Sequence, residues 1–326
     1  MTVRFDRHRR SRLTTTVSKS TGRDEGPSDP HSTSLFGGPA EVPTRVLVLG
    51  MVRYDGTLEA DELYSVAEAC GQTVEQVRSC LRRLVAEGLF VREGEGREAR
   101  FNATPEAIRS MGESMERARL AFDQDAAGRG WDRGWHLVAF AIPEAKRASR
   151  DAFRDQLIHL GGAAIHNGLY VSPHQWEKSA RVQAERLGVL AHTTFATTDD
   201  LEVGGVTDPR QIAAALWPLE ELGAMFQEFV EQYRHVPELL EKRRREKHRL
   251  TEAEFLPGSL AFGIHYQQCF NSDPLLPPEL LPRPWPGREA RELVLTCRRL
   301  GVLLREEHDK PKLFAPWDDL LLSFRS

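Results

Sequence analysis

The chain has 326 residues, 28% of them charged and 40% hydrophobic, with a net charge of −4. That length supports two or three domains, each with its own core. That charge excludes a uniformly basic nucleic-acid binder, so any phosphate-binding surface must be a local concentration of arginine or lysine. The four cysteines, Cys70, Cys80, Cys269 and Cys297, make neither a CxxC pair nor a zinc spacing. A reducing, cytoplasmic setting is therefore expected, with no structural metal and no cofactor. No apolar run reaches the ~20 residues of a membrane span, and the start of the chain lacks the apolar core of a signal peptide.

Residues 1–41 are rich in Ser, Thr, Gly, Pro and Arg and show no periodicity, which predicts a disordered tail. Arg4, Arg7, Arg9, Arg10 and Arg12 make its start basic, and a solvated extension is the expected role. A short helix is expected from Thr44 to Tyr54, then a turn at Asp55-Gly56. Ala60 to Cys70 forms the next helix, with Leu63, Val66, Ala67 and Cys70 at i, i+3, i+4 and i+7. Gly71-Gln72-Thr73 leaves room for a tight turn into a third helix. Thr73 followed by Gln76 is the signature of a capping box, in which hydroxyl and amide satisfy two open backbone N–H groups. Val74, Val77, Leu81, Leu84 and Val85 fall on one face of that helix, while Arg78, Ser79, Arg82 and Arg83 fall mostly on the other. Gly88 stops it, and Leu89 to Arg92 and Ala99 to Asn102 read as strands joined at Gly94-Glu95-Gly96.

A capped helix with a basic outer face followed by a hairpin is the pattern of a winged helix-turn-helix, assigned here to residues 42–104. Such a unit places its third helix in the major groove of double-stranded DNA and its wing along the backbone. Arg78 and Arg82, one turn apart, are the candidates for base edges, with Gln76 and Ser79 reaching base or phosphate. Arg83, Arg92, Arg97 and Arg100 are placed for phosphates. The competing use of these arginines is pairing with Glu75 or Glu87 on the same helix, and Glu93, Glu95 and Glu98 offset the charge of the wing.

Thr104-Pro105 caps a connector helix over residues 105–130, with Ile108, Met111, Met115, Ala118 and Phe122 as its inward stripe. Residues 131–206 then give strand Trp135 to Ile142, helix Glu144 to Leu160 with Ala148, Ala152, Leu157 and Leu160 inward, and short strands flanking Asn167-Gly168. Helix Glu177 to Leu187 and strand His192 to Thr198 follow. Asn-Gly between apolar runs is a strong hairpin signal, and the β-α-β-β-α-β order is that of a ferredoxin-like domain. Residues 207–326 read as a mainly helical domain. Asp208-Pro209 opens one helix, Pro218 interrupts it, and a densely charged stretch runs from Pro237 to Arg249, most simply a solvated face. The run from Asp273 to Gly287 interleaves prolines with Leu275, Leu276, Leu280, Leu281 and Trp285, which predicts an ordered wrap over apolar surface. The last helix begins near Arg288. The fold class is α+β and multidomain.

These segments resemble the PaaX family of bacterial repressors of phenylacetate and related catabolic operons. The resemblance is carried by Val77-Arg78-Ser79-Cys80-Leu81-Arg82-Arg83-Leu84-Val85-Ala86-Glu87-Gly88-Leu89, by Trp135 to Glu144, by Gly168-Leu169-Tyr170-Val171-Ser172-Pro173, and by the Asp273 to Gly287 run. It implies a winged-helix domain, a ferredoxin-like domain, a helical C-terminal domain, a homodimer, and release from DNA by an acyl-CoA effector. For that effector, Trp217, Tyr266 and Trp285 are candidate apolar walls, and Arg283, Arg288 and Arg291 are candidate partners of a CoA phosphate. The middle domain also resembles the CRISPR-associated ferredoxin-like nuclease subunit. Its first strand ends Ala141-Ile142-Pro143-Glu144 with no aspartate in reach, so a non-catalytic dimerisation and sensor role is expected.

No G-x-S-x-G, P-loop or strand-to-helix G-x-G-x-x-G occurs in the chain. His159, His166, His174 and His192 share no metal spacing with a carboxylate. An enzyme is not expected. The expected function is a dimeric, ligand-responsive transcriptional repressor. The reading of a different class is a winged-helix protein-interaction module with a ferredoxin-like dimerisation domain.

Overall fold

Each helix and sheet follows from where its apolar residues recur, and the computed structural model describes residues 43–247, 249–304 and 313–324. The arginines of the N-terminal tail lie outside the described residues. Helices α1 (Thr44–Gly50), α2 (Ala60–Ala69) and α3 (Val74–Ala86) pack around Leu47, Val48, Leu63, Val77, Leu81 and Leu84. Strands β1 (Thr57–Glu59), β2 (Phe90–Glu93) and β3 (Arg100–Ala103) form an antiparallel sheet in the order β1-β3-β2. The three-residue β1 is too short to show an alternating period, and the sequence did not mark it.

The capping box forms as the Thr73/Gln76 spacing requires. Gln76 N–H donates to Thr73 Oγ1 at 3.3 Å, and Thr73 N–H donates to Gln76 Oε1 at 2.7 Å. Thr73→Ala is expected to lower stability by about 1 kcal/mol, read as a shift of the urea midpoint at unchanged slope. Gly71 and Gly88 adopt left-handed φ of 72° and 75° just past α2 and α3, where the chain must reverse.

Helix α4 (Pro105–Ala127) starts on the Thr104 cap, whose hydroxyl accepts from Ala107 N–H at 3.3 Å. Ala118, Ala121 and Phe122 are buried and Met111 and Met115 half-buried. Ile108, placed in the inward stripe by spacing, is 49% exposed. It lies over the turn at Gly56 rather than in the core, because the first turns of α4 run beside the small sheet and not beneath another helix.

The second sheet contains β4 (Trp135–Phe140), β5 (Ala163–His166), β6 (Leu169–Ser172) and β7 (Thr193–Thr198), in the order β5-β6-β4-β7 with antiparallel neighbours throughout. Strand β4 is apolar on both faces for a physical reason. Val138 faces helices α5 (Arg147–His159) and α6 (Glu177–Arg186) with Phe153, Leu157, Tyr170 and Trp176. Trp135 faces the opposite side, under α7 (Pro209–Leu216), α8 (Leu219–Tyr233) and the proline-rich segment. The inward residues of α5 differ from expectation. Ala148 is exposed, Ala152 and Leu160 are half-buried, and Phe153 with Leu157 carries the packing. The helix begins at Arg147 after a 3₁₀ turn, and the one large aromatic, not the alanines, fixes its rotation. Gly162 is required by close approach: a Cβ there would lie 2.3 Å from Trp176 Cζ3.

Helices α9 (Val236–Arg245), α10 (Glu252–Ser272), α11 (Pro286–Leu304) and α12 (Ala315–Ser323) complete the described chain. The proline-rich segment is an ordered wrap. Leu276, Leu280 and Leu281 pack on the second sheet with Trp217, while Leu275 packs with Ala118, Ala121 and Phe270. Arg291, considered above as a phosphate ligand, is instead a buried structural cation. It donates to Asp125 Oδ2 at 2.5 Å and Oδ1 at 3.0 Å, and to Asp273 Oδ2 at 3.3 Å, tying α11 to α4 and to the start of the wrap. Burial opposes its charge, but the two carboxylates outweigh burial and hold its pKa above the usual value. Burial pushes the Asp273 carboxyl up, with Arg291 offsetting part of the shift.

His174 donates from Nε2 to Leu275 O at 2.7 Å, pinning the wrap to the loop after β6. Burial lowers its pKa below the ordinary 6.5, against the pull of that bond. The unfolded chain therefore binds the proton more readily than the folded one. The contribution of His174 to stability is full above pH ~6.5 and is lost as pH falls toward its depressed folded value. Chemical denaturation across that range should show a falling midpoint that flattens in His174→Gln.

Candidate functional site

The outer face of α3 is where the local chemistry concentrates. Val77, Cys80, Leu81 and Leu84 anchor the helix in the core, and the opposite side presents Gln76, Arg78, Arg82 and Arg83 to solvent, with Ser79 half-buried. Among the described residues, Arg78 and Arg83 have no ion-pair partner. Arg82 reaches back two turns to Glu75 at 3.2 Å, with both side chains more than 70% exposed. A pair so exposed is worth little and exchanges readily for a phosphate or base edge. Glu87, the other local acid, is occupied by Arg45 of α1 at 2.7 Å.

The remaining predicted positions divide. Arg92 is exposed on β2. Arg100 on β3 is held by its cross-strand neighbour Glu59, with Nε and Nη2 both 2.8 Å from Oε1. Arg53 shares that carboxylate at 3.5 Å and also contacts Glu62 at 2.8 Å. Arg100 therefore stiffens the small sheet as well as adding charge to its surface. The side chain of Arg97 lies outside the described residues. Gln76 spends its amide oxygen on the cap, which leaves only its Nε2 for a ligand. Gly94 and Gly96, at φ of 74° and 65°, make the turn between β2 and β3.

The effector candidates are not gathered into one place. Trp217 is a core residue, stacked 6.4 Å from Trp135 and donating from Nε1 to Gly161 O at 3.0 Å. Trp285 lies edge-on to Phe226 at 6.1 Å, its Nε1 buried without a partner. Arg283 is exposed, and Arg288 pairs with Glu292 at 3.0 Å. Of the six candidates, Tyr266 alone lines an apolar cavity of about 480 Å³ bounded by α1, α4, α10, α11 and α12. The sequence reading missed this cavity because it missed α10, its longest wall. Two signals were available: the Thr251/Glu254 capping box and the recurrence of Phe255, Phe262, Tyr266 and Phe270.

Residues 128–213 match the family model described as the PaaX protein central Cas2-like domain, and residues 217–307 match the PaaX-like protein C-terminal domain. The chain belongs to the PaaX family. Among its relatives is the transcriptional repressor PaaX of Escherichia coli strain K12, 27% identical over 242 residues that span 74% of this chain and 73% of the relative. A solved structure, the uncharacterized protein Rv0674 from Mycobacterium tuberculosis, aligns over 85% of this chain and 95% of its own at 18% identity. The TM-score of that alignment is 0.49. The PaaX central-domain match covers the second sheet, where β4 is followed by Glu144, an exposed residue paired with Arg150 at 2.8 Å. Among the described residues no cluster of three or more His, Cys, Asp or Glu is arranged to hold a metal. No described helix is long and apolar enough to cross a membrane.

Proposed function

We propose that this PaaX-family chain is a cytoplasmic, homodimeric transcriptional repressor of a catabolic operon, with residues 42–104 as a winged-helix reader of an inverted-repeat operator. The observation that carries the reading is α3: one face locked into a core, the other offering Arg78, Arg82 and Arg83 with only a weak internal partner. The β1-β3-β2 order beside α3 supports a wing, and the β5-β6-β4-β7 order supports a ferredoxin-like middle domain over residues 131–206. The connector over 105–130 and the helical part over 207–326 then set the spacing of two reading heads. One reader offers too few base contacts for an operator, which is why two half-sites are required. An acyl-CoA of the phenylacetyl type is the proposed effector. It acts by binding better to a dimer geometry that no longer fits both half-sites.

The test is a mobility-shift titration on the intergenic DNA upstream of the protein's own reading frame. Binding should weaken steeply with salt and be reversed by one acyl-CoA thioester of a panel. Absence of binding to that DNA at low salt would remove the repressor reading.

A further inference from the structure

The cavity of about 480 Å³ lies where the reader meets the C-terminal helices, and its walls come from both. Val46 and Leu49 belong to α1 of the reader, Ala118 to the connector α4, Phe255 and Tyr266 to α10, and Trp317 to α12. The size falls within the range of small-molecule sites. The lining is aromatic and aliphatic, with neutral polar side chains between. Among the described residues, Arg298 is its one charged member. Tyr266 contributes its ring to this lining, with its hydroxyl buried.

The cavity wall is also latched to the reader. Phe314 N–H donates to Gly50 O at 2.5 Å, and the Phe314 ring lies so close over Gly50 that a Cβ there would come within 2.7 Å of Cζ. Tyr54 O–H donates to Ala315 O at 3.0 Å and also meets Asp319. Whatever fills the cavity presses on α12 and on α1 together.

We propose that this cavity is a binding site for a hydrocarbon group, aromatic or aliphatic, and that its occupancy is transmitted to the reader through the α1–α12 latch. The inference deepens the effector part of the proposed function and rests on it for the meaning of the signal, but not for the binding. The same chemistry is offered by a free aryl acid and by the acyl end of a CoA thioester.

The test uses the full-length protein and the uncharged fluorophore N-phenyl-1-naphthylamine. Saturable binding is expected, with fluorescence enhancement and one site per chain. Gly263 faces the cavity from α10 with open space at its Cβ position, and Ser259 lines it one turn earlier. Gly263→Phe and Ser259→Trp should each weaken binding roughly tenfold or more, whereas Gly263→Ala should leave it within about twofold. Circular dichroism checks that each variant is folded. Hydrogen exchange with the probe bound should show protection in residues 43–54 and 313–324. Displacement by a thioester alone, or by the free acid alone, identifies the source of the group. Displacement by CoA alone would overturn the proposal, as would unsaturable binding, binding indifferent to both filling variants, or no protection in the two latch segments. None of these readouts uses DNA, so their failure is separate from failure of the repressor reading, which the mobility shift alone decides.

Discussion

Arg78→Ala and Arg82→Ala should each reduce operator affinity about 5- to 150-fold, the equivalent of about 1–3 kcal/mol for a bidentate base contact. Fluorescence anisotropy on operator and scrambled DNA is the measurement, with thermal melting to show that the fold is intact. Both side chains are exposed on α3, so their removal opens no cavity and strands no buried partner. Arg83→Ala should behave differently, weakening all sequences alike and lowering the salt slope by about one unit. Glu75→Ala should tighten binding modestly, because it releases Arg82 and removes a negative charge from the approaching surface. Full operator affinity in the Arg78/Arg82 double variant would show that α3 does not read the DNA.

Arg291→Leu is expected to destabilise the fold by about 3–5 kcal/mol, because a buried ion pair broken on one side leaves the other side uncompensated. Here two carboxylates are stranded: Asp273, 4% exposed, and Asp125, 15% exposed. Urea unfolding is the readout, and pH supplies a control. Burial already raises the Asp273 pKa in the folded state. Without Arg291 the rise is greater, so the folded variant binds that proton more readily than the unfolded chain does. Its deficit relative to the parent should therefore shrink as pH falls through the raised folded value and widen again as pH rises. A deficit independent of pH would assign the loss to packing.

Where a single element could be read from its own residues, the sequence served well. The Thr73/Gln76 cap, the two faces of α3, the glycine turns, the Asn167-Gly168 hairpin and the break at Pro218 all depend on neighbours within a few positions. The wrap was legible too, because leucines among prolines have no reason to occur in a solvated linker. What depended on distant partners was not. Arg291 sits in an amphipathic helix like any solvent-facing arginine, and only the approach of Asp125 and Asp273 shows it to be internal. Ile108 carries an inward spacing but meets no opposing helix. Residue type alone marks the effector candidates, and the fold places Trp217 under the second sheet and Trp285 beside Phe226, neither of them lining the cavity that Tyr266 lines.

The wrap also sets how the molecule may be dissected. Leu276, Leu280 and Leu281 return from far along the chain to cover Trp135 and Val171, beside Trp217 and Leu222 of the helices just after the sheet. A fragment ending at residue 206 would thus strip one side of its own sheet, and such a bare sheet tends to self-associate. Expression of the middle part alone should give aggregates, whereas co-expression of residues 43–206 with 207–326 as separate chains should reconstitute a soluble pair.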